Sequence, residues 1–208
     1  MDTATGTTLA GLNTDQRFYT ASVVKLLIAL DELKSVNWQP DSDSAALLSR
    51  MLATSDDDIA DTLWDGDGGP DIVSRMAGAI GLSDTTPPDD PTQWGETRTT
   101  PADVVRIYRS LTTGIPPSAR DTVLTALDDA AATAADGTDQ YYGIPDALPG
   151  TEWAVERGWM TLDDSTTLNT TGLVSTDSAR PALAAPPAVG TATAETVTCS
   201  SACPSNDR

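Results

Sequence analysis

Residues Tyr19–Leu30 read YTASVVKLLIAL, and the fold turns on this stretch. From Val23 onward it is apolar on every side, which predicts a buried helix, with helical patterning over about residues 22–36. Lysine is rarely buried without a partner. Yet Lys25, one of only two lysines in the chain, stands in the first turn. Three residues earlier comes Ser22, and positions i and i+3 share a helix face. An amine in apolar surroundings gives up its proton more readily than in water. A neutral amine can then take the proton of a neighbouring hydroxyl. The helix N-terminus adds N–H groups for a developing oxyanion. Ser22 and Lys25 therefore fit a nucleophile and its base. They also fit a capping serine and a lysine that snorkels to solvent.

Composition narrows the chemistry. A chain of 208 residues makes one domain or two small lobes that share a core. It has no histidine, which excludes a Ser-His-Asp triad, a Cys-His dyad and any His-based zinc site. Cys199 and Cys203 alone cannot build a structural zinc site; they fit a local disulfide in an exported protein or two free thiols. No metal or cofactor is expected. A net charge of −19 repels phosphate backbones and anionic lipid heads, so no nucleic-acid or membrane-surface partner is expected. The apolar run Val23–Leu30 is too short to span a membrane. No charged-then-apolar signal segment opens the chain, which fits a cytosolic protein or one whose leader has been removed. The stretch DGDGGPD at 65–71 carries Pro70 and Met76 where a calcium loop needs Gly and Glu, so it reads as an acidic turn.

Along the chain the patterning is strand-like, then helical, then strand-like. Residues 2–20 read as the end of a strand, a Gly turn and a short second strand. From about 41 to 135 the signals are helical. Leu47, Leu48, Met51 and Leu52 share one face. Pro70 opens a second helix whose stop is Gly81. Thr100 caps a third, with Asp103 closing a capping box, and Ser118 with Asp121 repeats the device. The Pro-rich stretch 81–98 between helices predicts a long surface loop. After about 146, TEWAVERGWM, TTLNTTGLVST and ARPALAAPPAV read as strands, and TATAETVTCSSA as a closing helix.

Two further elements fall in register with the first. In MLATSDDDIADTLW, Ser55 precedes Asp56 and Asp57. With Asp58 it makes a capping box for a helix from Asp56 to Trp64, and its hydroxyl can also shuttle a proton if it faces Ser22. In VERGWM, a strand-like stretch, Arg157 offers a cation, and Gly158 and Trp159 offer backbone beside a nucleophile. An ordinary amphipathic strand reads the same way.

The order S-x-x-K, S-D-N, K-T-G marks the penicillin-recognising serine enzymes, the class A β-lactamases and penicillin-binding proteins. This chain resembles that family over nearly its whole length, and most closely the compact exported β-lactamase-like hydrolases of actinobacteria. FYTASVVKLLIAL resembles the nucleophile helix, MLATSDDDIADTLW the second motif, RTTPADVVRIYRSL the helix after the active-site loop, and AVERGWM the third motif. The chain departs from the pattern at three places. Asp57 stands for an Asn, and an ionised carboxylate cannot donate the hydrogen bond an amide gives. Glu156 stands for a Lys and Arg157 for a Thr or Ser. The family's deacylating Glu has no aligned counterpart, although Glu96, Asp89 and Asp90 lie in the corresponding loop. The resemblance also implies more of a first strand, and a leader, than the residues before Asp2 supply.

The resemblance implies an α/β (α+β) fold of the β-lactamase/transpeptidase type. A mostly antiparallel sheet with packed helices is expected from residues 1–38 and 146–208, and an inserted all-helical lobe from 39–145. The expected catalytic residues are Ser22, Lys25 and Ser55. The expected substrate-binding residues are Asp57, Arg157, Gly158 and Trp159, with the N–H groups of Ser22 and Trp159 holding the oxyanion. Such a protein is a monomer of the cell envelope or the extracellular space, acting slowly on a β-lactam or a peptidoglycan-like amide. Its rivals are a non-catalytic descendant that binds or scaffolds, and a serine esterase.

Overall fold

The computed structural model describes residues 1–3, 5–162, 165–175 and 194–204, the last stretch by its backbone. Strand β1 (Phe18–Tyr19) leads into a 3₁₀ turn (Ala21–Val24) and helix α1 (Lys25–Ser35). Helices α2 (Ser42–Thr54), α3 (Asp57–Gly66) and α4 (Pro70–Ile80) follow. Strand β2 (Arg98–Thr99) comes next, then α5 (Pro101–Thr113), α6 (Pro117–Asp128) and the short α7 (Ile144–Ala147). Strands β3 (Trp153–Thr161), β4 (Ser165–Ser175) and β5 (Ala194–Pro204) form one antiparallel sheet in the order β3-β4-β5.

The core is built around α1, as its composition requires. Leu26, Leu27, Ile28, Leu30 and Leu33 are each at most 1% exposed. Each contributes about 1.5–3 kcal/mol by leaving water. Leu48, Met51, Ile72, Val73, Met76, Val104, Ile107, Tyr108 and Val123 pack around it from α2, α4, α5 and α6. Gly81 takes φ +80°, the left-handed conformation glycine tolerates, and ends α4 where expected. Thr100 caps α5 by accepting from the Asp103 N–H at 3.2 Å.

Several expectations are corrected. The closing helix expected at 191–202 is replaced by β5, because residues 194–204 pair with β4 along its whole length. β1 pairs with β2 instead of joining the main sheet, with Phe18 opposite Thr99 and Tyr19 opposite Arg98. Asp56, not Ser55, caps α3, accepting from the Ile59 N–H, while Ser55 ends α2 at φ +50°. Helix α6 starts at Pro117, so Ser118 lies inside it and caps nothing. The Asp103 carboxylate does not close a capping box. It accepts from the Asp84 N–H and the Thr85 hydroxyl, both at 2.8 Å, and pairs with Arg106. The strand expected at 179–189 lies outside the described residues.

The two faces of the sheet have different partners, since successive side chains alternate. Ala154 and Leu173, opposite each other in the β3–β4 ladder, pack into the main core. Trp153, Val155 and Val174 point the other way and form a second small core with Ile144 of α7. Asn169, opposite Gly158, fastens the helical-core face of β4 to the chain before α1. Its side-chain N–H₂ donates to the carbonyls of Tyr19 at 2.8 Å and Thr20 at 3.0 Å. Asn169→Ala leaves both carbonyls without this donor in a buried place, and is expected to cost about 2 kcal/mol in urea unfolding. An unchanged midpoint would show the fastening to be dispensable.

Candidate active site

Ser22, Lys25 and Ser55 meet at one point. Ser22 sits in the 3₁₀ turn and is 4% exposed, and Lys25 opens α1 and is fully buried. The Lys25 amine donates to Ser22 Oγ at 3.1 Å, to Ser55 Oγ and the Ser55 carbonyl at 2.9 Å each, and to Asp57 Oδ1 at 2.5 Å. The lysine does not snorkel. Nor are the surroundings of its head apolar, for four oxygens lie within hydrogen-bond distance. Residues 55 and 57 reach it because α2 ends and α3 begins in one sharp corner. Ser55 takes the left-handed conformation there, and Ala21, just before Ser22, does the same at φ +45°. Both are buried non-glycine residues at positive φ, a strain that packing must hold.

Gly158 brings β3 against the nucleophile turn. A Cβ there would lie 2.6 Å from the Thr20 carbonyl oxygen and 2.9 Å from the Ser22 nitrogen. Only a bare backbone can approach so closely. Gly158→Ala is expected to push β3 outward and slow Ser22 modification by up to about a hundredfold, read by time-resolved intact mass. A rate within twofold of the parent would show that this approach is not needed.

Strand alternation sends the flanking side chains elsewhere. Glu156 lies on the Gly158 face, 2% exposed. Burial pushes its carboxyl up to about 8, against the pull of Lys25 and Arg157. Arg157 is on the opposite face, 1% exposed, with its guanidinium 5.3 Å from the Trp153 ring and 5.8 Å from the Tyr141 ring. Its Nε and one Nη have no hydrogen-bond partner. Trp159 is on that face too, and its indole N–H donates to Asp136 at 3.2 Å.

Four residues that sequence reasoning left unassigned complete the surroundings. Trp94, in the loop before β2, places its ring 5.2 Å from the Lys25 amine, and its N–H donates to Asp61 at 2.7 Å. Trp64 of α3 ties the same loop down by donating to the Pro91 carbonyl at 2.8 Å. Partial burial works to raise the Asp136 carboxyl. Hydrogen bonds from Thr138 and Trp159 and the charge of Lys25 nonetheless hold it below the usual carboxylate range. No pattern in the sequence marks Asp61 or Asp136, since each meets the site through a tryptophan distant in the chain. The loop carboxylates are occupied elsewhere: Asp89 lies 3.8 Å from Arg98, and Asp90 accepts from Thr92.

Solved structures share this architecture. A class A β-lactamase from Mycobacterium abscessus superposes with a TM-score of 0.68 at 21% identity, over 96% of this chain and 82% of that one. A β-lactamase from Chitinophaga pinensis DSM 2588 gives 0.67 at 18% identity, over 84% and 77%. The chain has a β-lactamase-like fold. In sequence, the candidate lipoprotein LppW of Mycobacterium tuberculosis is 37% identical over 168 residues, 77% of this chain and 52% of LppW. The chain thus spans about half the length of the curated relatives it matches. No family model matches it. In the β-lactamase-like frame, Ser22 and Lys25 stand at the start of the central helix, and Gly158 stands on the edge strand beside them.

Proposed function

We propose that this protein is a serine hydrolase of the β-lactamase and penicillin-binding type, acylated on Ser22 by a β-lactam or related amide and slow to turn over. The observation that carries this reading is the fully buried Lys25 amine, within 3.1 Å of Ser22 Oγ and 2.9 Å of Ser55 Oγ. Ser22 Oγ attacks the carbonyl carbon while its proton passes to the Lys25 amine. Ser55 relays a proton to the leaving nitrogen as the C–N bond breaks, and a serine ester remains. The N–H groups of Ser22 and Trp159 hold the oxyanion. Water then hydrolyses the ester.

Two features support slow turnover. The Lys25 amine is engaged by Asp57 at 2.5 Å, a contact it must loosen before it can take the Ser22 proton. Among the described residues, no contact joins Asp89, Asp90 or Glu96 to Ser22, which leaves deacylation without an evident base. In this reading the helical lobe of residues 39–145 faces the sheet of β3, β4 and β5, with the site between them, in a monomer. The likeness to a candidate lipoprotein supports a cell-envelope location.

The Asp57–Lys25 pair also favours a second reading, a non-catalytic binding protein that keeps the fold. Intact mass after incubation with a penicillin, with Ser22→Ala alongside, separates the two. A gain of one penicillin, lost in the variant, supports acylation, and its persistence measures turnover. No gain with the drug left intact removes the β-lactam chemistry; a gain that survives Ser22→Ala removes Ser22 as the nucleophile. Small acyl esters then test the esterase activity.

A further inference from the structure

Arg157 is a buried cation without a counter-ion. Its side chain is 1% exposed, and Nε and Nη2 have no hydrogen-bond partner. A buried charge is costly unless it is paired and hydrogen-bonded. Elsewhere this acidic chain meets that need: among the described residues six arginines pair with an aspartate, and Arg157 with none. Its neighbours on the sheet cannot serve. Glu156 is turned to the other face, and with its carboxyl pushed up to about 8 by burial it carries little charge at neutral pH. Thr170, opposite Arg157 in the β3–β4 ladder, accepts instead from the Ile144 N–H at 3.3 Å. The rings of Trp153 at 5.3 Å and Tyr141 at 5.8 Å attract the charge, but their faces offer the N–H groups no oxygen.

The two unpartnered atoms are the informative part. Nε–H and Nη2–H lie side by side on one edge of the guanidinium plane and point the same way, which is the fork that grips both oxygens of a carboxylate. Arg75 uses this same edge in this protein: its Nε and Nη2 hold the two oxygens of Asp31. Arg157 presents the fork with the carboxylate missing. The Tyr141 ring beside it is 45% exposed, so solvent is one ring away. Trp153, Val155, Val174 and Ile144 supply apolar surface on the same face.

We propose that the Nε–Nη2 edge of Arg157 is a binding site for a small carboxylate with a short apolar group, held on the face of β3 opposite Gly158. The site does not depend on Ser22 being a nucleophile, and its test reads binding alone.

The probes are propionate and its neutral isostere propionamide, each added near neutral pH with ionic strength held constant by sodium chloride. Propionate at about 100 mM is expected to raise the melting temperature by about 3 °C, as a ligand at about ten times its dissociation constant does. Propionamide is expected to give no shift. Arg157→Met keeps an apolar stem and removes the fork, and the propionate shift is expected to vanish. Should that variant not fold, Arg157→Lys decides: it keeps the charge and loses the paired donors, and the shift is expected to fall by more than half. No shift with propionate in the parent means that water or chloride satisfies the edge as well, and the proposal is wrong. An equal shift with propionamide overturns recognition of the charge. A propionate shift that persists undiminished in a folded Arg157 variant places the carboxylate elsewhere and overturns the site.

Discussion

Replacing Lys25 with Met lowers the rate of Ser22 acylation by about a thousandfold, within the range a positioned general base supplies. Methionine is close to the aliphatic stem of lysine in volume, and the stem is enclosed by the core, so the helix keeps its packing. The head group is what disappears. With it go the contacts at 3.1 Å to Ser22 Oγ and 2.9 Å to Ser55 Oγ. Asp57, more than half exposed, returns to water at little cost. The check is the rate of mass gain with a penicillin or a reactive ester, beside the melting temperature. A melting temperature within a few degrees together with a collapsed rate assigns the amine to chemistry. An unchanged rate would remove Lys25 from the mechanism. Asp57→Asn works in the opposite direction. It removes the ion pair while keeping the shape, and acylation is expected to rise about tenfold.

Glu156→Gln changes how stability depends on pH. In the folded protein the carboxyl is pushed up to about 8 from 4.5, chiefly by burial. Between those values the folded state holds a proton that the unfolded state has released. The contribution of this group is therefore fully present below about pH 4.5 and is lost as pH rises towards 8. The loss reaches about 5 kcal/mol at most for such a change. The amide variant has no proton to lose. Parent and variant are expected to unfold at similar urea concentrations near pH 5, and the variant at clearly higher urea near pH 8. The chain has no histidine, so few groups titrate in this window. Glu32 and Asp128 are also raised by partial burial and neighbouring carboxylates, and the comparison between parent and variant removes their share. Equal slopes for the two proteins would mean that Glu156 is ionised throughout.

Much of this architecture is local and therefore legible along the chain. An all-apolar run can only be buried, and α1 is. Ser22 and Lys25 lie three positions apart, so any helical turn brings them to one face. Pro70 with Gly81, and Thr100 with Pro101, mark helix ends through single-residue geometry. The same local logic misled at Ser55 and Ser118, where a neighbour took the cap or the helix simply began earlier. It misled at 194–204 too, where a stretch readable as a helix becomes a strand because β4 supplies hydrogen-bond partners along its whole length.

What only the folded chain decides are the contacts between distant residues. Asp57 meets Lys25 across 32 positions, and Asn169 meets Thr20 across 149. Arg157 shows the difference most plainly. Its position beside Gly158 suggested a cation for the substrate, but the pleat turns neighbouring side chains to opposite faces. Once the approach to Ser22 fixes which face Gly158 presents, Arg157 must point away. Sequence spacing can place a nucleophile and its base on one helix. The charge that a substrate meets there depends on which side chains the sheet, the loop before β2 and the corner before α3 bring to the same place, and that is set by packing.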